Sequence, residues 1–209
     1  MFKSIITFLI IIILSGSAYA AKSATDKGCK IVKVNASILY QDGDLYETGA
    51  KGQTTINLAP SFLFFTGKGV YLGPEFRYNS YHNNTYDYSE IGIGPQLGFI
   101  LNPKTALQQN SNYSLYYLAF TAQYYRTTSE EQSYYYDYYY GYSYPYSYEV
   151  ESNTISLGTT LGLYNMVATH YALDINFKLS VEFNNRTGSS QDETGYSLLV
   201  GFGLAGFSF

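Results

Sequence analysis

Apolar side chains recur at every second residue through most of the chain, and no apolar run beyond residue 21 reaches the length of a membrane helix. Polar connecting segments alternate between short and long. These observations predict an all-β fold, an eight-stranded antiparallel up-and-down transmembrane β-barrel with short periplasmic turns and longer extracellular loops. Composition agrees. Of the 209 residues only 13 % are charged, whereas 19 % are aromatic, carried by 26 Tyr and 13 Phe. Few charges and many aromatics oppose simple disorder. The formal charge of −4 disfavours a nucleic-acid partner, which needs a basic surface. One cysteine excludes an intrachain disulfide and a multi-cysteine zinc site.

Residues 1–20 read as a signal peptide. Lys3 supplies the positive start, residues 5–14 a nearly unbroken apolar run, and Ala18-Tyr19-Ala20 the small-x-small cleavage pattern. Residues 21–30 are expected to form a short periplasmic tail and 31–209 the barrel. Cys29 lies nine residues past the expected cut and reads as an incidental thiol.

The strands follow in order. In 32–40, Val32, Val34, Ala36, Ile38 and Tyr40 oppose Lys33, Asn35 and Ser37. In 54–65, Ile56, Leu58, Pro60, Phe62 and Phe64 oppose Thr55, Asn57, Ala59 and Ser61. In 70–79, Val70, Leu72, Pro74, Phe76 and Tyr78 oppose Tyr71, Gly73, Glu75, Arg77 and Asn79. In 90–101, Ile91, Ile93, Pro95, Leu97, Phe99 and Leu101 oppose Glu90, Gly92, Gly94, Gln96 and Gly98. Segment 113–126 is noisier, with Leu118, Phe120 and Ala122 opposite Thr121 and Gln123. In 150–164, Ile155, Leu157, Leu161 and Leu163 oppose Thr154, Ser156, Gly158, Thr160 and Gly162.

Segment 170–184 alternates without a break: Tyr171, Leu173, Ile175, Phe177, Leu179, Val181 and Phe183 share one face. The last segment, 194–209, is apolar or small on both sides, so parity does not assign its faces. The three strand prolines each delete a ladder hydrogen bond and are expected to mark bulges. Longer connections fall at 43–53, 80–88, 127–149 and 185–193, shorter ones at 66–69 and 165–169, with 102–112 long for a turn.

Closure into a barrel removes sheet edges and satisfies every backbone group within lipid. A secreted sandwich or lipocalin-like barrel alternates too, but with its apolar face inward. The polar face here is rich in Gly, Ser, Thr and Asn, which suits a narrow lumen. Its charges, Glu75, Arg77, Asp174, Lys178 and Glu182, are expected to neutralise one another there, Glu75 with Arg77 and both Asp174 and Glu182 with Lys178. Aromatics near the strand ends resemble interfacial girdles: Tyr40, Tyr78 and Tyr88 at one rim, Tyr71, Phe99, Tyr164 and Tyr171 at the other.

The chain ends Gly203-Leu204-Ala205-Gly206-Phe207-Ser208-Phe209. Terminal Phe209 with Phe207 two residues earlier resembles the assembly signal of outer-membrane β-barrels, which implies insertion by the bacterial barrel-assembly machinery. The glycines, Phe202 and Leu204 depart from clean alternation. With the signal peptide, eight strands and long loops, the whole mature chain resembles the small OmpX/Ail and OmpA-membrane-domain class. That resemblance is architectural. It implies a bacterial outer-membrane location, among outer-membrane lipid and lipopolysaccharide.

Residues 133–148 read SYYYDYYYGYSYPYSY, ten tyrosines in sixteen positions. Two readings stand: a low-complexity loop that extends the flanking strands as a hairpin, or a recognition surface. For the second, Tyr134, Tyr135, Tyr136, Tyr138, Tyr139, Tyr140, Tyr142 and Tyr144 are the candidates, since tyrosine offers large contact area and a hydroxyl at low entropic cost. No catalytic, cofactor or metal site is expected. His82 and His170 are placed at opposite ends of the barrel, about 30 Å of hydrocarbon apart. Only His82, near Asp87 and Ser89, has the position an outer-face lipid-modifying enzyme needs. Eight strands enclose a lumen that side chains nearly fill. The expected role is therefore non-enzymatic: structural, or adhesion-like through the loops toward a ligand the sequence does not name. A narrow channel is the second reading and a lipid-modifying enzyme the third.

Overall fold

A computed structural model describes residues 23–42, 54–82, 87–103, 113–137, 142–186 and 193–208. Eight strands run in chain order: β1 (Lys30–Asp42), β2 (Thr54–Gly67), β3 (Val70–His82), β4 (Asp87–Ile100), β5 (Ser114–Asp137), β6 (Tyr142–Ala168), β7 (Tyr171–Arg186) and β8 (Glu193–Ser208). Each pairs antiparallel with its neighbours, and β1 closes on β8 from Lys30↔Ser208 to Asp42↔Tyr196. The signal-peptide reading lies outside the described residues.

Alternation decides which way each residue faces. Leu173, Phe177 and Val181 are 43 %, 42 % and 37 % exposed, whereas Asp174, Lys178 and Glu182 between them are buried. The same parity holds around the ring, with Ile38, Phe64, Phe76, Ile93, Phe120 and Leu161 all exposed. The apolar face is therefore outward and the polar face lines the lumen, opposite to a soluble barrel. An apolar exterior this continuous far exceeds the few hundred Å² that soluble monomers expose.

Three expectations are corrected and a fourth point, left open by the sequence, is resolved. The third loop, expected at 127–149, is mostly strand: β5 and β6 stay paired from Ser114↔Asn165 to Asp137↔Tyr142, which is the hairpin reading of that segment. Second, Tyr71 and Tyr164 are not rim residues; both are fully buried in the lumen. Their parity matches Gly73 and Gly162, and local aromatic clustering at the strand ends hid it.

Third, the prolines make no bulges. Among the described residues the register shifts of the sheet lie at Phe65/Gly67 and Met166/Ala168, beside turns. Pro60 pairs with Val34 and Pro74 with Pro95. On their other sides the β2–β3 and β4–β5 ladders skip these positions and resume in the same register, Leu58↔Tyr78 then Ser61↔Glu75, and Ile93↔Tyr124 then Gln96↔Thr121. A missing N–H costs one rung on one side, and the strand continues.

Fourth, β8 acquires the faces its composition left open. Tyr196, Val200, Phe202 and Leu204 point out, while Leu199, Ala205 and Phe207 point in.

Candidate functional site: a filled lumen and a projecting ribbon

The lumen is built in two layers. At the end nearest the chain termini, Ile31, Leu63, Phe65, Tyr71, Leu115, Tyr117, Tyr164, Met166 and Phe207 form one apolar cluster. Glycine makes it possible. Tyr71 pairs across the sheet with Gly98 and Tyr117 with Gly162, and each ring lies where a Cβ on the glycine would stand. Tyr117 stacks on Tyr164 with ring centroids 4.5 Å apart, and Tyr164 meets Phe207 edge-on at 5.4 Å. Phe207 thus serves as a lumen-packing residue; Phe209 lies outside the described residues.

Residues 23–29 close the same end. Ala24, Thr25 and Cys29 are buried against the cluster. The Gly69 amide donates to the Thr25 carbonyl at 2.8 Å, and the Gly28 amide to the Phe65 carbonyl at 2.9 Å. The Cys29 thiol donates to the Ser23 carbonyl, Sγ···O 3.2 Å. The expected tail is in part a stopper.

Above the aromatic layer the lumen is charged. Lys178 Nζ donates to Glu75 Oε1 at 2.7 Å and to Gln123 Oε1 at 3.1 Å, and Gln123 Nε2 donates to Glu75 Oε1 at 2.9 Å. Arg77 pairs with Glu90 and, through Nη1, with Glu182 Oε1 at 3.1 Å; Ser197 Oγ donates to that same oxygen at 2.8 Å. Lys33 pairs with Asp174 at 3.6 Å, and the Tyr117 hydroxyl donates to Asp174 Oδ1 at 2.8 Å. The five expected lumen charges are all here, but the neighbour pairing is corrected. Glu75 and Lys178 meet across the barrel, as do Arg77 and Glu182, because alternate residues on one strand lie ~6.7 Å apart while opposite walls of a narrow barrel converge.

Sequence reasoning did not single out Lys33 and Glu90, although both share the inward parity of their strands. Buried tyrosines join the network: Arg77 sits over the Tyr125 ring at 4.7 Å and Lys33 over Tyr117 at 5.3 Å. A cavity of about 20 Å³ lined by Lys33, Glu75, Arg77 and Lys178 is large enough for about one water.

At the opposite end β5 and β6 outrun the ring. The β4–β5 ladder reaches Asp87↔Glu130 and the β6–β7 ladder reaches Ser152↔Arg186. Beyond these pairs the two strands form a two-stranded ribbon with no third strand among the described residues. At its base the Tyr124 hydroxyl donates to Asn153 Oδ1 at 2.6 Å, and Arg126 pairs with Glu151. Of the candidate tyrosines, Tyr134, Tyr135 and Tyr136 lie on β5, and Tyr142 and Tyr144 on β6. Tyr138, Tyr139 and Tyr140 lie outside the described residues. Tyr142 and Tyr148 are 67 % and 41 % exposed.

His170 Nδ1 donates to the Phe207 carbonyl at 3.0 Å, at the terminus end, and His82 ends β3 at the other. Among the described residues no group of three His, Cys, Asp or Glu is placed to hold a metal.

No family model and no curated protein matches this sequence. Solved structures do. Neisserial surface protein A (NspA) aligns with a TM-score of 0.59 at 14 % identity, covering 88 % of this chain and 100 % of that one. Ail, the attachment invasion locus protein of Yersinia pestis, aligns at 0.46 and 11 % identity, over 86 % and 99 % of the two chains. The outer membrane protein OprG of Pseudomonas aeruginosa gives 0.46 and 11 %, over 88 % and 99 %. The fold is that of the small eight-stranded outer-membrane barrels, as the resemblance implied.

Proposed function

We propose that this protein is a non-enzymatic barrel of the bacterial outer membrane. Its apolar exterior sits in lipid and lipopolysaccharide, and its β5–β6 ribbon is presented at the cell surface for contact with a partner. Export through the N-terminal signal and insertion by the barrel-assembly machinery belong to the same reading. One observation carries it: the wall is filled inside, yet two strands extend past the ring by seven residues on the β5 side, roughly 20 Å at the rise of a strand. A filled lumen gives solutes no evident path, which weighs against the channel reading. Histidines at opposite ends weigh against the enzyme reading. NspA, also described as a surface protein, supports the placement by fold alone.

The test replaces residues 131–148 with a two-residue turn. The shortened protein is expected to remain heat-modifiable on SDS gels, migrating differently before and after boiling as folded membrane barrels do. Cells carrying it should lose attachment to host-cell or abiotic surfaces. Unchanged attachment would remove the ribbon from the function. Stepwise conductance in planar bilayers would restore the channel.

A further inference from the structure

The ribbon has chemistry beyond projection. Past Glu130 and Ser152 it has no neighbouring strand among the described residues, which leaves edges at 131–137 on β5 and 142–151 on β6. These edges differ. Pro145 removes a backbone donor from β6, whereas the β5 edge contains no proline. An edge with an unbroken row of donors and acceptors is a template for strand addition.

Charge identifies what the edge suits. From 126 to 151 the sequence carries one cation, Arg126, against five carboxylates, Glu130, Glu131, Asp137, Glu149 and Glu151. Arg126 is already paired with Glu151. Glu130 and Glu149 occupy directly opposite positions, an arrangement that is destabilising between like charges unless a counter-charge is present. By sequence the ribbon thus carries an excess of negative charge.

Tyrosine completes the set. Tyr142 and Tyr148 have the same parity on β6 and are both exposed, and in register Tyr135 on β5 pairs with Tyr144. The lumen shows how this protein holds a cation, with a carboxylate on one side and a tyrosine face on the other: Lys33 between Asp174 and Tyr117, Arg77 between Glu90 and Tyr125. In the ribbon the tyrosines and carboxylates recur, and the lysine and second arginine do not.

We infer that the ribbon binds an extended Lys/Arg-rich peptide segment of another protein along the β5 edge, its cationic heads set against tyrosine faces and carboxylates. This rests on the surface-contact reading and names the partner's chemistry. The full chain in lipid nanodiscs would be titrated with fluorescein-labelled octa-arginine, with a neutral Gly/Ser octapeptide, and with a neutral N-acetylglucosamine hexasaccharide. Octa-arginine is expected to bind best and to weaken as salt rises. The triple variant Glu130→Gln, Glu131→Gln, Glu149→Gln should weaken it about tenfold, as should Tyr135→Ser, Tyr142→Ser, Tyr148→Ser, a loss of about 1.4 kcal/mol in each case. Heat-modifiable gel mobility confirms that each variant is folded.

Equal affinity for the charged and neutral peptides, or binding of the hexasaccharide alone, would overturn the inference. So would a tyrosine variant that binds as tightly as the parent, since that is attraction by charge only. If octa-arginine binds as expected but cells lacking the ribbon attach normally, the surface-contact role fails while the peptide site stands.

Discussion

The same two strands handle tyrosine in opposite ways below and above the rim. Inside the ring, Tyr117 and Tyr125 on β5 and Tyr164 on β6 are buried, each with a named neighbour: Asp174, Arg77 and Phe207. In the ribbon, Tyr142 and Tyr148 on the same inward parity are exposed. The backbone pairing runs through both regions without a break in register. Burial is therefore not a property of the strand or of the residue type. It arises where six further strands close a wall opposite. Tyrosine serves in both places because its ring packs while its hydroxyl still finds a polar partner.

The sharpest way to break the comparison is to unbalance the lumen. Arg77→Met leaves Glu90 and Glu182 buried beside each other without their cation. Removing one partner of a buried ion pair costs about 3–5 kcal/mol. Urea unfolding from lipid vesicles, followed by circular dichroism because the chain has no tryptophan, should register that loss. The triple variant Arg77→Met, Glu90→Gln, Glu182→Gln should regain most of it. A loss below ~1 kcal/mol in the single variant would mean the lumen is wet enough to screen the carboxylates.

Gly162→Val is expected to come next. Its side chain would enter the volume of the Tyr117 ring, and overpacking of this kind costs about 1–3 kcal/mol. Gly67→Ala is the control, because nothing lies within 4 Å of a Cβ built there. Its effect should stay within about 0.5 kcal/mol, and equal losses in both variants would refute the fitted tyrosine layer.

Much of this fold was legible because a barrel writes its inside and outside into residue parity. The alternation carried over from Tyr171 to Asn184, His170 instead lying exposed in the turn before β7, and all five charges expected in the lumen are there. Parity is one-dimensional, however. It cannot say which residues meet across the lumen, so the partners Glu75–Lys178 and Arg77–Glu182 had to come from the closed ring. Strand length was legible only where polarity changes. The ribbon carries polar and aromatic residues at both parities, so it reads as a loop although its backbone is paired. In β8 the inward positions include Gly201, Gly203 and Ala205 beside Leu199 and Phe207, and Gly203 leaves room for Asn35. Small apolar residues facing inward erase the contrast that parity needs.

The smallest expected effect is the most discriminating for the ribbon. Tyr142→Ser with Tyr148→Ser should change barrel stability by less than about 0.5 kcal/mol per site, since both side chains are exposed and lie above the ring. Tyr117→Ser, two layers of side chains deeper, should cost several times more, as it removes a buried ring and the hydroxyl held by Asp174. Measured side by side in the same vesicles, the two substitutions separate tyrosine as packing from tyrosine as display. If the ribbon pair proves as costly as Tyr117, the projecting strands are part of the folding unit and their composition answers to stability. If it proves silent, ten tyrosines in sixteen residues are being kept for something outside the barrel.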